Sequence, residues 1–314
     1  MVDWEVVLAS GEVVHANAKD NSDLYLALKG GLNNFGVVTS FQMKTFKAGP
    51  VWGGGTYYAP VPGSFDRVLA AACDFATNET DENTHIMPSV GYGYGQQICI
   101  CLMWHTKGEE NSKSLQRFTS IQPQIEQMNT MRTSTHIAMC DELSAFTKDG
   151  VRTFYATCTI KPDVPLMSAF HNKWQETLTS LKEVEGFTFA FGFQPLTKTL
   201  LQNSVDAGGN AQDLSPADGP LFIVLLNPTW ANASDDKRVS TGVTKLLEEF
   251  KRLASQKGLL HRYLFTNYAY KTEDVFKGYG EKSWANLKAV SKKYDPEGIF
   301  QKGVPGGFKL SDST

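Results

Sequence analysis

Residues 187–196 read FTFAFGFQPL. Successive side chains of a strand point to opposite faces, so Phe187, Phe189, Phe191 and Phe193 share one face, and Thr188, Ala190, Gly192 and Gln194 share the other. Four phenyl rings in line require burial, most simply under helices. The opposite face is small and ends in a single amide. It either leaves room for a ligand or takes a second packed layer. Helix-type patterns lie on both sides, at 165–184 and at 234–257. In the second, Val239, Val243, Leu246, Leu247, Phe250 and Leu253 form an apolar stripe, Ser234 or Asp235 is the cap, and Gly258 ends the helix. Buried strands are expected at 152–160 and 220–230, and a helix at 136–149.

Upstream, residues 51–106 read as strand, helix, strand, strand. The helix, 64–77, carries Phe65, Val68, Leu69, Ala72 and Phe75 inward. GYGYG at 91–95 is a tight turn. ICICLMWHT then places Ile98, Ile100, Leu102 and Trp104 on one face, with His105 pointing away. The fold class this implies is α+β: a large antiparallel sheet with helices covering one face, plus a small α+β element at the beginning of the chain.

Composition limits the function. The chain has 314 residues, 41% hydrophobic and 20% charged, enough for about two domains. A net charge of −3 without long runs of one sign argues against nucleic acid as a partner. No apolar run approaches the ~20 residues of a membrane span. MVDWEVVLASGEVV lacks the basic and apolar regions of a signal peptide, and the compartment is left open. Five cysteines, with Cys99 and Cys101 two apart on one strand, read as buried thiols rather than disulfides. The six histidines show no paired spacing, so no metal site is expected.

At the beginning, residues 4–15 read as two strands around Ser10-Gly11, followed by a short helix to Lys29 capped by Asn21 or Ser22, with Leu24 and Leu28 inward. GGLNNFGVVTSFQMKTF, residues 30–46, is a glycine-rich loop leading to a strand with Val37, Phe41 and Met43 on one face. Such a loop can bring backbone N–H groups to an anionic ligand; it also reads as a plain turn. At the other end, residues 281–293 form a helix with Trp284, Leu287 and Val290 inward. Asp295-Pro296 and Gly298 stop it, Ile299 and Phe300 anchor the tail, and Pro305-Gly306-Gly307 turns it.

Taken together, Asn267-Tyr268-Ala269, Tyr279-Gly280, LKAVSKKYDPEGIFQK and PGGFK resemble the carboxyl end of the FAD-linked oxidases related to berberine bridge enzyme, especially the fungal ones. DLYLALKGGLNNFGVVTSF resembles the motif closing their flavin-binding domain. The resemblance implies FAD as cofactor, with Gly30, Gly31, Asn34, Phe35, Gly36, Val37, Val38 and Asn267 near it. Leu32 stands where the family usually has glycine. It also implies that Tyr268 takes a proton or orients substrate as hydride leaves for the flavin, and that the large sheet roofs the site, with Gln194 in its wall. A free phenol has a pKa near ~10, so the proton role needs a tuned site. GGNAQDL at 208–214 departs from the family's usual continuation of GGN.

The implied division is a flavin-domain remnant at 1–46, a substrate-binding domain at 47–262, and a segment at 263–314 returning to the flavin domain. The resemblance covers the later part of a family member. The stretch that carries the pyrophosphate loop and the flavin-linking histidine in relatives has no counterpart here, and His15 lies in a different motif. Residues 1–46 are therefore expected to present open strand edges, which a partner chain can pair. Three functions remain open: an FAD-linked oxidoreductase acting on a small molecule of secondary metabolism, a cofactor-free isomerase or cyclase, and a non-catalytic partner subunit.

Overall fold

The structure, a computed structural model, describes residues 1–145 and 149–311. The chain forms two units: Met1–Lys47, Leu201–Asp218 and Arg262–Thr314 make the first, and Ala48–Leu200 and Gly219–His261 the second.

The first unit starts with β1 (Asp3–Val7), β2 (Val13–Asn17), α1 (Ser22–Leu28) and β3 (Val37–Gln42). β1 is central in the antiparallel order β2-β1-β3. Gly11, at φ 85°, turns β1 toward β2, which glycine does without steric cost. Asn21 stands before α1 without capping it. Its left-handed backbone (φ 47°) leaves its side chain to donate to His15 O (2.8 Å) and to accept from the Tyr294 hydroxyl (3.1 Å). Leu24 and Ala27 are the buried residues of α1; Leu28 is only half-buried. β3 is an edge strand with all six residues exposed, Val37 at 55% and Phe41 at 58%; a bulge opposite Glu5 and Val6 pairs Val37 with Val7 but Phe41 with Trp4, so these two do not share the face that unbroken alternation predicts.

The second unit runs β4 (Val51–Tyr58), α2 (Ser64–Asn78), β5 (Thr84–Gly93), β6 (Gln96–His105), α3 (Lys113–Thr119), β7 (Arg132–Ser134) and α4 (His136–Ser144). The expected extension of α4 toward residue 149 crosses residues 146–148, which lie outside the described residues. Then come β8 (Arg152–Thr153), β9 (Ala156–Ile160), α5 (Val164–Leu181), β10 (Thr188–Leu196), β11 (Leu221–Trp230), α7 (Asp236–Gln256) and β12 (Leu260–His261); α6 (Lys198–Asp206) starts in this unit, and its residues from Leu201 on belong to the first. The sheet is antiparallel, ordered β12-β9-β11-β10-β5-β6-β4-β7, with β8 also on β11. β5 and β6 join through Tyr94-Gly95, both at positive φ (52° and 77°), the geometry of a two-residue hairpin turn.

Helices α2, α5 and α7 cover one sheet face. Phe189, Phe191, Phe193 and Phe222 are fully buried there. Trp174 of α5 meets Phe189 and Phe191 at 5.8 and 6.2 Å, and Phe170 stacks on Phe250 of α7 at 4.0 Å. Each such ring contributes about 1.5–3 kcal/mol on burial. β6 alternates as expected, with His105 on the face opposite Ile98, Ile100, Leu102 and Trp104. Its helix-covered face is Cys99, Cys101, Met103 and His105, whereas Ile98, Ile100, Leu102 and Trp104 lie half-exposed on the other face. Both faces are apolar, so alternation fixes the period but not which face the helices cover. His105 is buried because its ring accepts from Glu109 N–H at Nδ1 (3.2 Å) and reaches Asp81 at Nε2 (3.2 Å).

The first unit resumes with α8 (Glu281–Tyr294) and α9 (Ile299–Lys302). Asp295 ends α8 and caps α9, its two carboxylate oxygens accepting from Ile299 N (2.8 Å) and Phe300 N (2.7 Å). Strand pairing stops at His261, residues 263–265 form no ladder, and the chain turns through residues 266–268.

Candidate functional site

In the first unit the site grows from the loop after α1. Gly31 N–H bonds back to Ala27 O (2.9 Å), and a Cβ on Gly31 would lie 2.4 Å from that oxygen and 2.5 Å from the Phe35 ring. Only glycine fits there. A Cβ on Gly36 would likewise meet Val7 O at 2.8 Å. Leu32 takes φ 58°, the left-handed region a glycine would adopt freely.

Asn34 and Phe35 are fully buried. The Asn34 amide is saturated within the protein. Its Nδ2 donates to Gly31 O (2.8 Å) and Phe308 O (3.1 Å), while its Oδ1 accepts from Gln301 Nε2 (3.0 Å) and Leu310 N (3.4 Å). Lys309 adds a bond to Asn33 Oδ1 (3.0 Å). The PGGFKL tail thus closes directly on the glycine loop, about 270 residues away in sequence. The backbone N–H groups of residues 32–36 find no acceptor among the described residues. Buried N–H groups without partners are rare, and a run of them is a concavity for a polar or anionic ligand atom.

Sequence reading quoted Tyr279 as part of a motif but gave it no role. It is fully buried, and its hydroxyl donates to Gly30 O (2.9 Å) and pairs with Thr266 Oγ (2.7 Å). One phenol therefore ties the glycine loop to the turn that presents Asn267 and Tyr268. Burial holds that phenol above its ordinary pKa, so it remains a donor. Arg262 supports the same corner through Gly278 O (2.7 Å) and Asp213 O (2.8 Å), and a Cβ on Gly278 would lie 2.7 Å from Arg262 O. Asn267 is exposed. Tyr268 is half-buried against Phe265, edge to face at 4.8 Å. Gly30, Gly31, Asn34, Phe35, Gly36, Val37 and Val38 lie on one loop and the strand it feeds. No group of three or more metal-ligating side chains gathers among the described residues.

Gln194 belongs to the second unit, on the sheet face opposite the phenylalanines. Register places Ile98, Gly91, Ala190 and Asn227 in one row across four strands, and Ile100, Ser89, Gly192 and Leu225 in the next. The two central strands thus carry a floor of Ser89, Gly91, Ala190 and Gly192. Ile98 and Ile100 rise on one side, and Leu225 and Asn227 on the other. At about 4.8 Å per strand, the trough is about 14 Å across between its walls. Gln194 continues the β10 column. Its Oε1 is buried without a hydrogen-bond partner, as is the hydroxyl of fully buried Thr159, two strands away in the same row.

No family model matches the chain. It is 32% identical over 317 residues to the FAD-dependent monooxygenase tpcD of Cochliobolus heterostrophus, covering 98% of this chain and 61% of that protein. It is 30% identical over 318 residues to the FAD-dependent monooxygenase FUP4 of Fusarium proliferatum, with the same coverage. Among solved structures, a xylooligosaccharide oxidase from Myceliophthora thermophila superposes at TM-score 0.74 over 95% of this chain and 64% of its own, at 17% identity. A berberine-bridge-enzyme-like protein of Physcomitrella patens matches at TM-score 0.70 over 96% of this chain and 63% of its own, also at 17% identity.

In sequence the chain is similar to FAD-dependent monooxygenases, and its fold is that of the solved oxidase structures. The chain spans about 61% of the length of the two curated proteins it matches above. The solved structures share its α+β architecture with the large antiparallel sheet. The glycine loop fits a flavin in one respect that needs no relative: it offers backbone donors that find no acceptor among the described residues.

Proposed function

We propose that this chain forms the flavin-facing and substrate-binding part of an FAD-linked oxidoreductase that oxidises a small secondary metabolite. The observation that carries this reading is the row of N–H groups at residues 32–36 without an acceptor among the described residues, in a loop held by the close packing of Gly31 against Ala27 and Phe35 and of Gly36 against Val6 and Val7. FAD, when bound, would supply a two-electron acceptor that takes hydride from a substrate carbon and passes both electrons to dioxygen. The backbone of residues 30–38 and the exposed amide of Asn267 would hold it.

The chain's own residues do the rest. Tyr268 accepts the proton from the substrate hydroxyl or amine whose carbon loses hydride. Tyr279 keeps the Tyr268 turn and the glycine loop in register through its two hydrogen bonds. Gln194 and the small-residue trough bind and orient substrate. Positioned proton transfer of this kind contributes about 10²–10⁴-fold in rate. Oxygen uptake on a panel of aryl alcohols tests the reading. Turnover should require added FAD, and Tyr268→Phe should lower kcat by about 10²–10⁴-fold with little change in KM. Turnover that persists without FAD would replace this reading with a cofactor-free isomerase or cyclase.

A further inference from the structure

We propose that the trough on the open face of the large sheet selects a flat, uncharged, largely apolar ring molecule carrying one hydroxyl, rather than an oligosaccharide or a cation. The inference rests on the preceding reading of that face as the substrate surface and names the substrate class it takes.

Shape comes first. Ser89, Gly91, Ala190 and Gly192 make a floor two strands wide in which no side chain is larger than serine. Aliphatic Ile98, Ile100 and Leu225 stand beside it. A planar ring can lie on that floor in van der Waals contact, whereas a puckered sugar would leave its hydroxyls against aliphatic walls. Each hydroxyl left unpaired in such a place costs about 1–3 kcal/mol.

Charge is next. The strand residues of this face include no Asp or Glu, and Glu142 of α4, the carboxylate that acts on Tyr57 of this face, is already paired with Arg132, so a cationic substrate finds no unpaired strand carboxylate here. Its charged strand residue, Arg132, is already bonded to Glu142 at the β7 edge. Ser89 donates to Met87 O and Thr188 pairs with Thr229, so the buried polar atoms of this face left without a partner lie at one end. The Gln194 Oε1 is a buried acceptor without a donor, and the Thr159 hydroxyl in the same row is also unpartnered. Asn227, on the trough wall, is committed to Thr153 and Phe154. The ligand's single hydroxyl therefore donates to Gln194, and the rest of the molecule stays apolar.

Fluorescence titration of the whole chain with 1-naphthol, naphthalene and xylobiose tests this. Naphthol should bind about 10-fold tighter than naphthalene, the ratio expected for one hydrogen bond. Gln194→Leu should erase that ratio, and Ala190→Leu, on an exposed position facing away from the phenylalanine core, should weaken both aromatic ligands by at least 10-fold. A urea midpoint unchanged in Ala190→Leu shows that the fold survives. Xylobiose binding as tightly as naphthol, or naphthol binding indifferent to both substitutions, overturns the proposal. None of these titrations needs flavin, so a protein that binds naphthol as expected yet ignores FAD contradicts the oxidoreductase reading and leaves this one standing.

Discussion

Asn34 holds the two ends of the chain together with one amide. Asn34→Asp replaces a donor with a carboxylate facing Gly31 O and Phe308 O, and two carbonyls then confront a buried negative charge. We expect a loss of about 3–5 kcal/mol, read from urea unfolding, against about 1–3 kcal/mol for Tyr279→Phe, which removes a hydroxyl but no charge balance. Equal losses in the two variants would show that the amide has no special place. The Asp3–His15 pair offers a pH test. The Asp3 bond raises the His15 pKa above 6.5 and its own pKa is lowered below 3.8. His15 thus contributes stability below pH 6.5 that is lost as pH rises through its raised value. Asp3 contributes above pH 3.8, and loses it as pH falls through its lowered value. In an NMR titration, Asp3→Asn should return His15 toward 6.5; an unmoved titration would refute the pairing.

At the scale of elements, the sequence was most readable where one face is aromatic and the other small. β10 needs no context: Phe189, Phe191 and Phe193 are buried and Ala190 is exposed, as alternation requires. Phe191→Ala should cost about 3–5 kcal/mol, since the ring touches Trp174, Phe193 and Phe250. Calorimetry or denaturant unfolding checks it. β6 alternates as its sequence requires, but Cys99, Cys101 and Met103 are as apolar as Ile98, Ile100 and Leu102, and only the neighbouring strands decide which set meets the helices. β3 differs again. A bulge opposite Glu5 and Val6 breaks its alternation and puts Val37 and Phe41 on opposite faces, and burial depends on what lies beside an edge strand; local sequence encodes neither. With Phe41 at 58% and Phe46 at 86% exposure, Phe41→Lys with Phe46→Lys should reduce concentration-dependent association in sedimentation. No change would show that this edge does not associate.

For the molecule as a whole, the motifs that carried the family resemblance meet in one unit. The glycine loop, the Asn267-Tyr268 turn, Tyr279 and the PGGFKL tail are joined by hydrogen bonds spanning hundreds of residues. Those joints were not legible, because a motif shows which residues belong to a site and not which atoms bond. Leu201–Asp218 is instructive too. It falls within the 47–262 stretch expected to be the substrate domain, yet it clusters with the first unit, where Ala211 N–H bonds to Lys29 O and the Asp213 carbonyl receives Arg262. The central claim is that the loop at residues 30–38 faces a flavin. Its most direct test is the visible absorption spectrum of the purified protein, mixed with FAD and passed through gel filtration. The account predicts a flavin spectrum that stays with the protein and shifts from that of free FAD. A colourless protein eluting apart from unaltered FAD would contradict it.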